Sequence, residues 1–497
     1  MENSALSRQW FGHPRGLSTL FFTELWERFS YYGMRAMLVL FMTTSATIGN
    51  PGLDFGEGTA GAVYGLYTFF VYVLALPGGW IADNIWGQRK AVFVGGCIIA
   101  LGHFTMAGPM VGLPDDGSFF LGLVLIVIGT GLLKPNVSTM VGDLYPEGGA
   151  RRDAGFSIFY TGINLGAFLG PILAGFLGEN YNWHWGFGLA GFGMVIGLIQ
   201  YRLGGKHLGE AGLLKTSQTP EALLKKTRMT YLIIGAAAAV LALLGWVLVQ
   251  RVALEVLAEW LGYAVIAIAI LYFAYLLIFT RHTRMEKRRL GVIFWLFVLS
   301  AIFWSGFEQA GSSLNLFGRD STDRMLGGWE LPATWLQSVN ALFIIILAPI
   351  FGSMWITLAR LKRNPSIPLK FAMGLLGLAT GFFVITWGAA NAVDGSLVSP
   401  SWLVVTYFFH TVGELSLSPV GLSSITKLAP KGRVGQMMGV WFIGTALGNL
   451  FAGLVAGRLE TLAPVDLFMN VAFTIGIAGV IALVLFIPIK RLMGNVD

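Results

Sequence analysis

A single cysteine, Cys97, occurs in 497 residues. It excludes an intrachain disulfide and any multi-cysteine metal site, and inside an apolar run it reads as a small core residue. Charge is scarce too: Asp, Glu, Lys and Arg make up 12% of the chain, roughly half the share usual in soluble proteins. Hydrolase signatures are missing, with no HExxH, no GxSxG and no convincing Ser-His-Asp arrangement. No cleavable leader is expected, because the first residues are polar and the first apolar run is too long for a signal h-region. Apolar residues fill the chain instead, at 55%. That share cannot be hidden in one soluble core, so an all-α, polytopic membrane protein is expected.

Apolar runs of about 20 residues recur along the chain, and fourteen are legible, from 17–44 to 466–489. The distribution of Lys and Arg orients them. With the N-terminus inside, 26 of the 33 basic residues fall on inside segments. Arg251, Arg319, Arg324 and Arg458 fall outside, and Arg28, Arg35 and Lys134 fall within spans. Both termini are therefore expected in the cytoplasm. The net charge of +7 marks the inner face and calls for no nucleic acid.

The longest polar stretch, 203–228, separates six spans from the rest, and the next two spans carry no buried ionisable cluster. This predicts a six-helix bundle over 1–203, a cytoplasmic linker over 204–228, an inserted helix pair with its linker over 229–289, and a second six-helix bundle over 290–497. Two such halves are the layout of major facilitator transporters. The turn GGWIADNIWGQRKA, Gly78 to Ala91, supports it: Asp83 is expected to cap a helix end while Arg89 and Lys90 bind carbonyls or carboxylates.

FFTELWERFSYYGMRAMLVLF, Phe21 to Phe41, carries Glu24, Glu27, Arg28 and Arg35 on an otherwise apolar helix. A charge at the bilayer centre costs about 3 kcal/mol on insertion scales, so such groups face partners or water. At about 100° per residue, Glu24, Arg28, Tyr31 and Arg35 form one stripe, flanked by Tyr32 and Glu27. The four charges sum to zero, which allows ion pairing within the helix. Lys134 lies mid-span before Pro135 and needs an anion. Glu308 and Glu414 are acidic counterparts in the second half. A cavity between the halves would then have a cationic and an anionic wall, suited to a zwitterion. Amino acids and short peptides both qualify. Tyr72, Tyr160, Asn164, Trp304, Asn340 and Trp441 are candidate polar and aromatic lining, and His410, one turn before Glu414, reads as a packed histidine.

These residues resemble the proton-dependent oligopeptide transporters of the major facilitator superfamily. The likeness rests on ExxER at Glu24–Arg28, FYxxINxG at Phe159–Gly166, GGWIAD at Gly78–Asp83, FWxxFEQ at Phe303–Gln309 and QSVNxLFI at Gln337–Ile344. The resemblance implies proton-coupled uptake of di- and tripeptides by alternating access, with protons as the coupling ion and no cofactor. It implies a bacterial-type inner membrane and a monomer that suffices for transport. It assigns Arg35 and Lys134 to the peptide carboxylate, and Glu414 with Asn164 and Asn340 to the amino group. Tyr32, Tyr72, Tyr160, Trp304 and Trp441 would line the cavity. Glu24, Glu27, Arg28, Lys134 and Glu308 would couple protons, with Arg35 and Glu308 as an outer gate.

The chain departs from the family pattern twice. Gly65 stands where animal members have a proton-binding histidine, and Ala167 stands where the helix-five pattern usually continues with Ser. A proton-pumping subunit of a respiratory complex is a competing reading, since it would also hold buried Lys and Glu. A nitrate or peptidomimetic carrier of the same family is another, and the acidic wall at Glu308 and Glu414 disfavours a bare anion.

Overall fold

A computed structural model of the chain describes residues 9–494 except 48, 393, 394 and 431. Arg8 and Lys431, two of the basic residues counted above, lie outside the described residues.

The described chain is helical almost throughout. Its long helices are α1 Gly16–Thr43, α2 Glu57–Val73, α3 Ala75–Ile81, α4 Gln88–Met106, α5 Asp115–Asp143, α6 Gly149–Asn180 and α7 Trp183–Gly204. They continue with α8 Pro220–Val249, α9 Leu254–Ile278, α10 Arg284–Phe307, the short α11 Ser313–Asp320, α12 Ser338–Arg360, α13 Ile367–Ala390, α14 Ser401–Leu428, α15 Val434–Ala456 and α16 Pro464–Met493. A π-turn, Ala82–Trp86, joins α3 to α4, so α2 and α3 together fill the expected second span. Two hairpins complete the elements: β1 Gln9–Trp10 with β2 His13–Pro14, and β3 Met325–Leu326 with β4 Trp329–Glu330. Gly327 and Gly328 hold φ of 59° and 87°, the left-handed pair that a tight hairpin of this twist requires.

Eleven helical segments among the described residues are long and apolar enough to cross a membrane. α1, α4 and α14 fall short of that composition, and α1 does so because it carries Glu24, Glu27, Arg28 and Arg35. α8 starts before its apolar run: Pro220 opens it and the Thr219 hydroxyl accepts from Ala222 N–H, so Glu221–Arg228 of the expected linker is already helix. Cys97 differs from expectation, being exposed on α4. Apolar side chains on a membrane helix are as stable toward lipid as toward the protein interior, so polarity does not tell the two faces apart.

The described residues of 1–34, with 70–170 and 184–257, form one compact unit. Its core joins Leu17 and Leu20 of α1, Ile99 of α4, Val137 and Met140 of α5 and Met194 of α7. Close backbone approach between small residues is the packing device, as lipid gives no hydrophobic drive between helices. A Cβ on Gly129 of α5 would stand 2.6 Å from the Gly95 carbonyl of α4. The Gly78–Asp83 turn is held differently from expectation. Asp83 accepts from Gln88 at 2.8 Å and caps no helix end, whereas Arg89 does donate to carbonyls, those of Ala211 and Gly209.

Residues 35–69, 171–183 and the described part of 258–497 form the other unit. Its core joins α10, α13, α14, α15 and α16 through Phe303, Phe371, Phe382, Tyr407, Leu447 and Phe468. α2 lies directly on α15 here, where Gly61 and Gly65 meet Gly453.

Candidate functional site

In the first unit, α1 presents its charges inward. Glu24, Glu27 and Arg28 are 3%, 0% and 3% exposed. Arg28 Nε lies 3.0 Å from Glu24 Oε1, one turn back, and also contacts the Glu27 carboxylate. Its guanidinium stands 5.3 Å from the Tyr31 ring. One cation between two carboxylates leaves a net negative charge, and Lys134 of α5 is close enough to act on both acids. The Lys134 ammonium sits 3.9 Å from the centre of the Tyr72 ring, a cation–π contact that holds it without neutralising it. α6 comes close because Gly166, the last residue of FYxxINxG, has no side chain: a Cβ there would meet the Leu25 carbonyl at 2.3 Å and Arg28 Cβ at 2.8 Å. Tyr160 is exposed and Asn164 is buried, with its amide donating to the Tyr160 carbonyl at 2.9 Å. Tyr32 packs edge-on against Tyr31.

The second unit contains the remaining candidates. Arg35 Nη2 lies 2.9 Å from Glu308 Oε2, with both side chains under a tenth exposed. α10 ends at Phe307, and a 3-10 turn over Glu308–Gly311 swings the carboxylate toward α1. Tyr64 of α2 stands beside the pair, its hydroxyl 3.5 Å from the Glu308 carbonyl and its ring 6.0 Å from the Arg35 guanidinium. Gly311 leaves them the room, since a Cβ there would fall 2.1 Å from the Tyr64 hydroxyl and 3.0 Å from Arg35 Nε. Gln309 bridges α10 to α15 by donating to the carbonyls of Ser305 and Ala452.

Glu414 of α14 is 8% exposed. Asn340 of α12 donates to Thr411 at 2.9 Å and reaches Glu414 Oε2 at 3.5 Å. Trp304 packs edge-on against Phe303 and Phe307 while its indole N–H has no acceptor among the described residues. Trp441 is 7% exposed and packs against Phe371 over Gly421. His410 is packed as expected, 1% exposed and 4.8 Å from the Phe382 ring centre.

α1 thus pairs its charges in two ways. Arg28 pairs within the helix, as the charge balance allowed, but Arg35 finds its acid on α10. Four residues of these clusters escaped the sequence reading: Tyr64, Gly311, Thr411 and Glu179. Thr411 had a signal, lying one turn before Glu414. Glu179, at the end of α6, accepts from the N–H groups of Ala333 and Thr334 and from the Thr334 hydroxyl, at 2.8, 2.9 and 2.6 Å. Its partners lie 154 and 155 residues further along the chain, so nothing local announces them.

The POT family model matches residues 89–466. This chain belongs to the POT family. It is therefore a multi-pass membrane transporter of the major facilitator type and not an enzyme. The peptide transporter YePEPT of Yersinia enterocolitica is 43% identical, covering 99% of this chain and 98% of its own. The di-/tripeptide transporter of Lactococcus lactis subsp. cremoris is 35% identical, with 98% of each chain covered. Among solved structures, a peptide transporter POT in complex with sulfate superposes with a TM-score of 0.89 at 42% identity, covering 98% of this chain and 97% of that one. A POT family transporter in complex with 5-aminolevulinic acid gives 0.86 at 35% identity, covering 97% and 98%.

Proposed function

We propose that this chain is a proton-coupled symporter that imports di- and tripeptides across a bacterial inner membrane by alternating access. The observation that carries the reading is the buried Arg35–Glu308 pair, at 2.9 Å. A guanidinium away from water must keep an anion, and two can serve it in turn. While the outer side is closed, Glu308 serves. Parting the pair strands that carboxylate, which takes a proton, and the peptide carboxylate replaces it at Arg35. Proton and peptide thus enter together, and the cation is never left alone.

Glu24, Glu27, Arg28 and Lys134 repeat the exchange along the same path. Two acids compete for Arg28, and Lys134, held over the Tyr72 ring, is available to a peptide carboxylate once one acid is protonated. Glu414, pre-oriented by Asn340, receives the peptide amino group together with Asn164. Tyr32, Tyr72, Tyr160, Trp304 and Trp441 shape the space for side chains. The Trp304 indole N–H, with no acceptor among the described residues, suits a peptide carbonyl. The bundles are 1–203 and 290–497, with the linker 204–228 and the helix pair of 229–289 between them; both termini are cytoplasmic, and one copy suffices.

The relatives' names support this reading: one is a di-/tripeptide transporter, and one solved neighbour holds 5-aminolevulinic acid, which carries an amine and a carboxylate some atoms apart. The test is uptake of labelled dialanine into liposomes containing the purified chain, under an imposed pH gradient. Accumulation that excess unlabelled di- and tripeptides suppress and tetrapeptides do not is the expected result. Equal uptake with and without the gradient would refute the coupling.

A further inference from the structure

One end of α7 has a chemistry that transport does not use. Two cavities, of about 470 and 510 Å³, flank Lys206 just beyond the helix C-terminus. The first is lined by Arg89, Lys90, Arg202 and Lys206, and the second adds Arg15. Among the described residues, no carboxylate lines either one. Among the described residues none of these five cations forms an ion pair. Arg89 donates to backbone carbonyls and Lys90 lies 5.3 Å from the Trp86 ring, contacts that leave their charge uncompensated. Arg202 and Lys206 are four residues apart and both exposed, so each destabilises the other in the absence of an anion.

Beside Ser18, Thr19, Gln200 and His207, the second cavity has an apolar wall. Phe22, Ile196, Ile199 and Leu203 are 40%, 47%, 55% and 70% exposed and line it. Along the α7 axis, at about 1.5 Å per residue, Ile199 lies roughly 10 Å deeper than Lys206. Cations therefore stand at the helix end and bare apolar surface stands one to two turns farther into the membrane. The helix dipole favours cations at a C-terminus, but it accounts neither for a recess around them nor for the apolar wall. A free inorganic anion would have no use for that wall, whereas a phosphate attached to acyl chains would use both parts.

We propose that the Arg202–Lys206 end of α7 binds an anionic glycerophospholipid, with its phosphate among Arg89, Lys90, Arg202 and Lys206 and an acyl chain along Ile196, Ile199 and Leu203. Basic recesses between membrane helices are general sites for anionic headgroups, and each Lys or Arg near such a surface is worth about 1 kcal/mol. The bound lipid would tie α4 to α7 within the first unit.

The full chain, purified and stripped of lipid in mild detergent, is titrated with phosphatidylglycerol, phosphatidylcholine and inorganic phosphate, and bound species are counted by native mass spectrometry. Phosphatidylglycerol is expected to bind about tenfold more tightly than phosphatidylcholine, with no displacement by millimolar phosphate. The double variant Arg202→Gln/Lys206→Gln should lose about ten- to thirtyfold in phosphatidylglycerol affinity, in line with two basic contacts, and with it the preference. Arg151→Gln/Arg152→Gln, a basic pair outside both cavities, should leave binding unchanged. Leu203→Gln should weaken phosphatidylglycerol while leaving any phosphate binding untouched. If the double variant does not fold, the single variants should each show a several-fold loss. Unchanged binding in the Arg202 and Lys206 variants, an equal loss in the control pair, or displacement by inorganic phosphate would each overturn the proposal.

Discussion

Gly453 of α15 approaches Gly65 of α2 so closely that a Cβ on Gly453 would lie 2.6 Å from Gly65 Cα. A Cβ on Gly65 would in turn meet the Leu450 carbonyl at 2.7 Å. Backbone thus touches backbone at the position where the family resemblance puts a histidine in animal members. No side chain fits at 65 in this packing, so the proposed proton coupling would draw on no histidine at that position. We expect Gly65→His to force the two helices apart at a cost of about 1–3 kcal/mol, the usual range for overpacking. A lowered unfolding midpoint with no gain in proton-driven uptake would bear this out. Normal stability with raised uptake would show that the seam yields and that a histidine can work there.

Glu308→Gln removes the charge that holds Arg35 but keeps a hydrogen-bonding group of the same size. Peptide exchange across the membrane should persist, and proton-driven accumulation should vanish. Counterflow and gradient-driven uptake in the same liposome preparation separate the two outcomes. Accumulation equal to that of the unmodified chain would take Glu308 out of the coupling scheme.

Lys134 is positioned by the Tyr72 ring 3.9 Å away. A cation–π contact is worth about 0.5–2 kcal/mol, so Tyr72→Ala should weaken peptide binding several-fold, whereas Tyr72→Phe, which keeps the ring, should weaken it far less. Lys134→Ala should abolish driven uptake altogether. Equal effects of the two Tyr72 variants would show that its hydroxyl, and not its ring, matters.

Glu179 accepts three hydrogen bonds from Ala333 and Thr334. Leaving such donors unsatisfied costs about 1–3 kcal/mol. Glu179→Ala should therefore lower the unfolding midpoint measurably, and Glu179→Gln, which keeps an acceptor oxygen, should recover part of the loss. An Ala variant as stable as the unmodified chain would show that water replaces the carboxylate at no cost.

Much of the architecture was legible because lipid imposes a simple rule: a spanning helix needs about 20 apolar residues, and a departure from apolarity stands out. Glu24, Glu27, Arg28, Arg35, Lys134, Glu308 and Glu414 were visible for that reason, as charges against an apolar background. Glu179 and Thr411 were harder to see, because a carboxylate at a helix end and a threonine on a helix face are ordinary residues until their partners are known. Cys97 was misplaced because apolar residues serve lipid and protein interior alike.

Composition, run length and the placement of Lys and Arg by themselves determined a many-spanned helical chain with acids and bases sunk among its apolar residues, since those properties follow from the free energy of transferring each residue into hydrocarbon. Only the tertiary structure decided partnership. The four charges of α1 could balance among themselves; instead Arg28 stayed with its own helix and Arg35 reached Glu308, 273 residues away. That choice depends on glycines: Gly65 and Gly453 let backbones approach within ångströms, Gly311 leaves room for the Tyr64 and Arg35 side chains, and a distance set by helix packing is not written in any local run of residues.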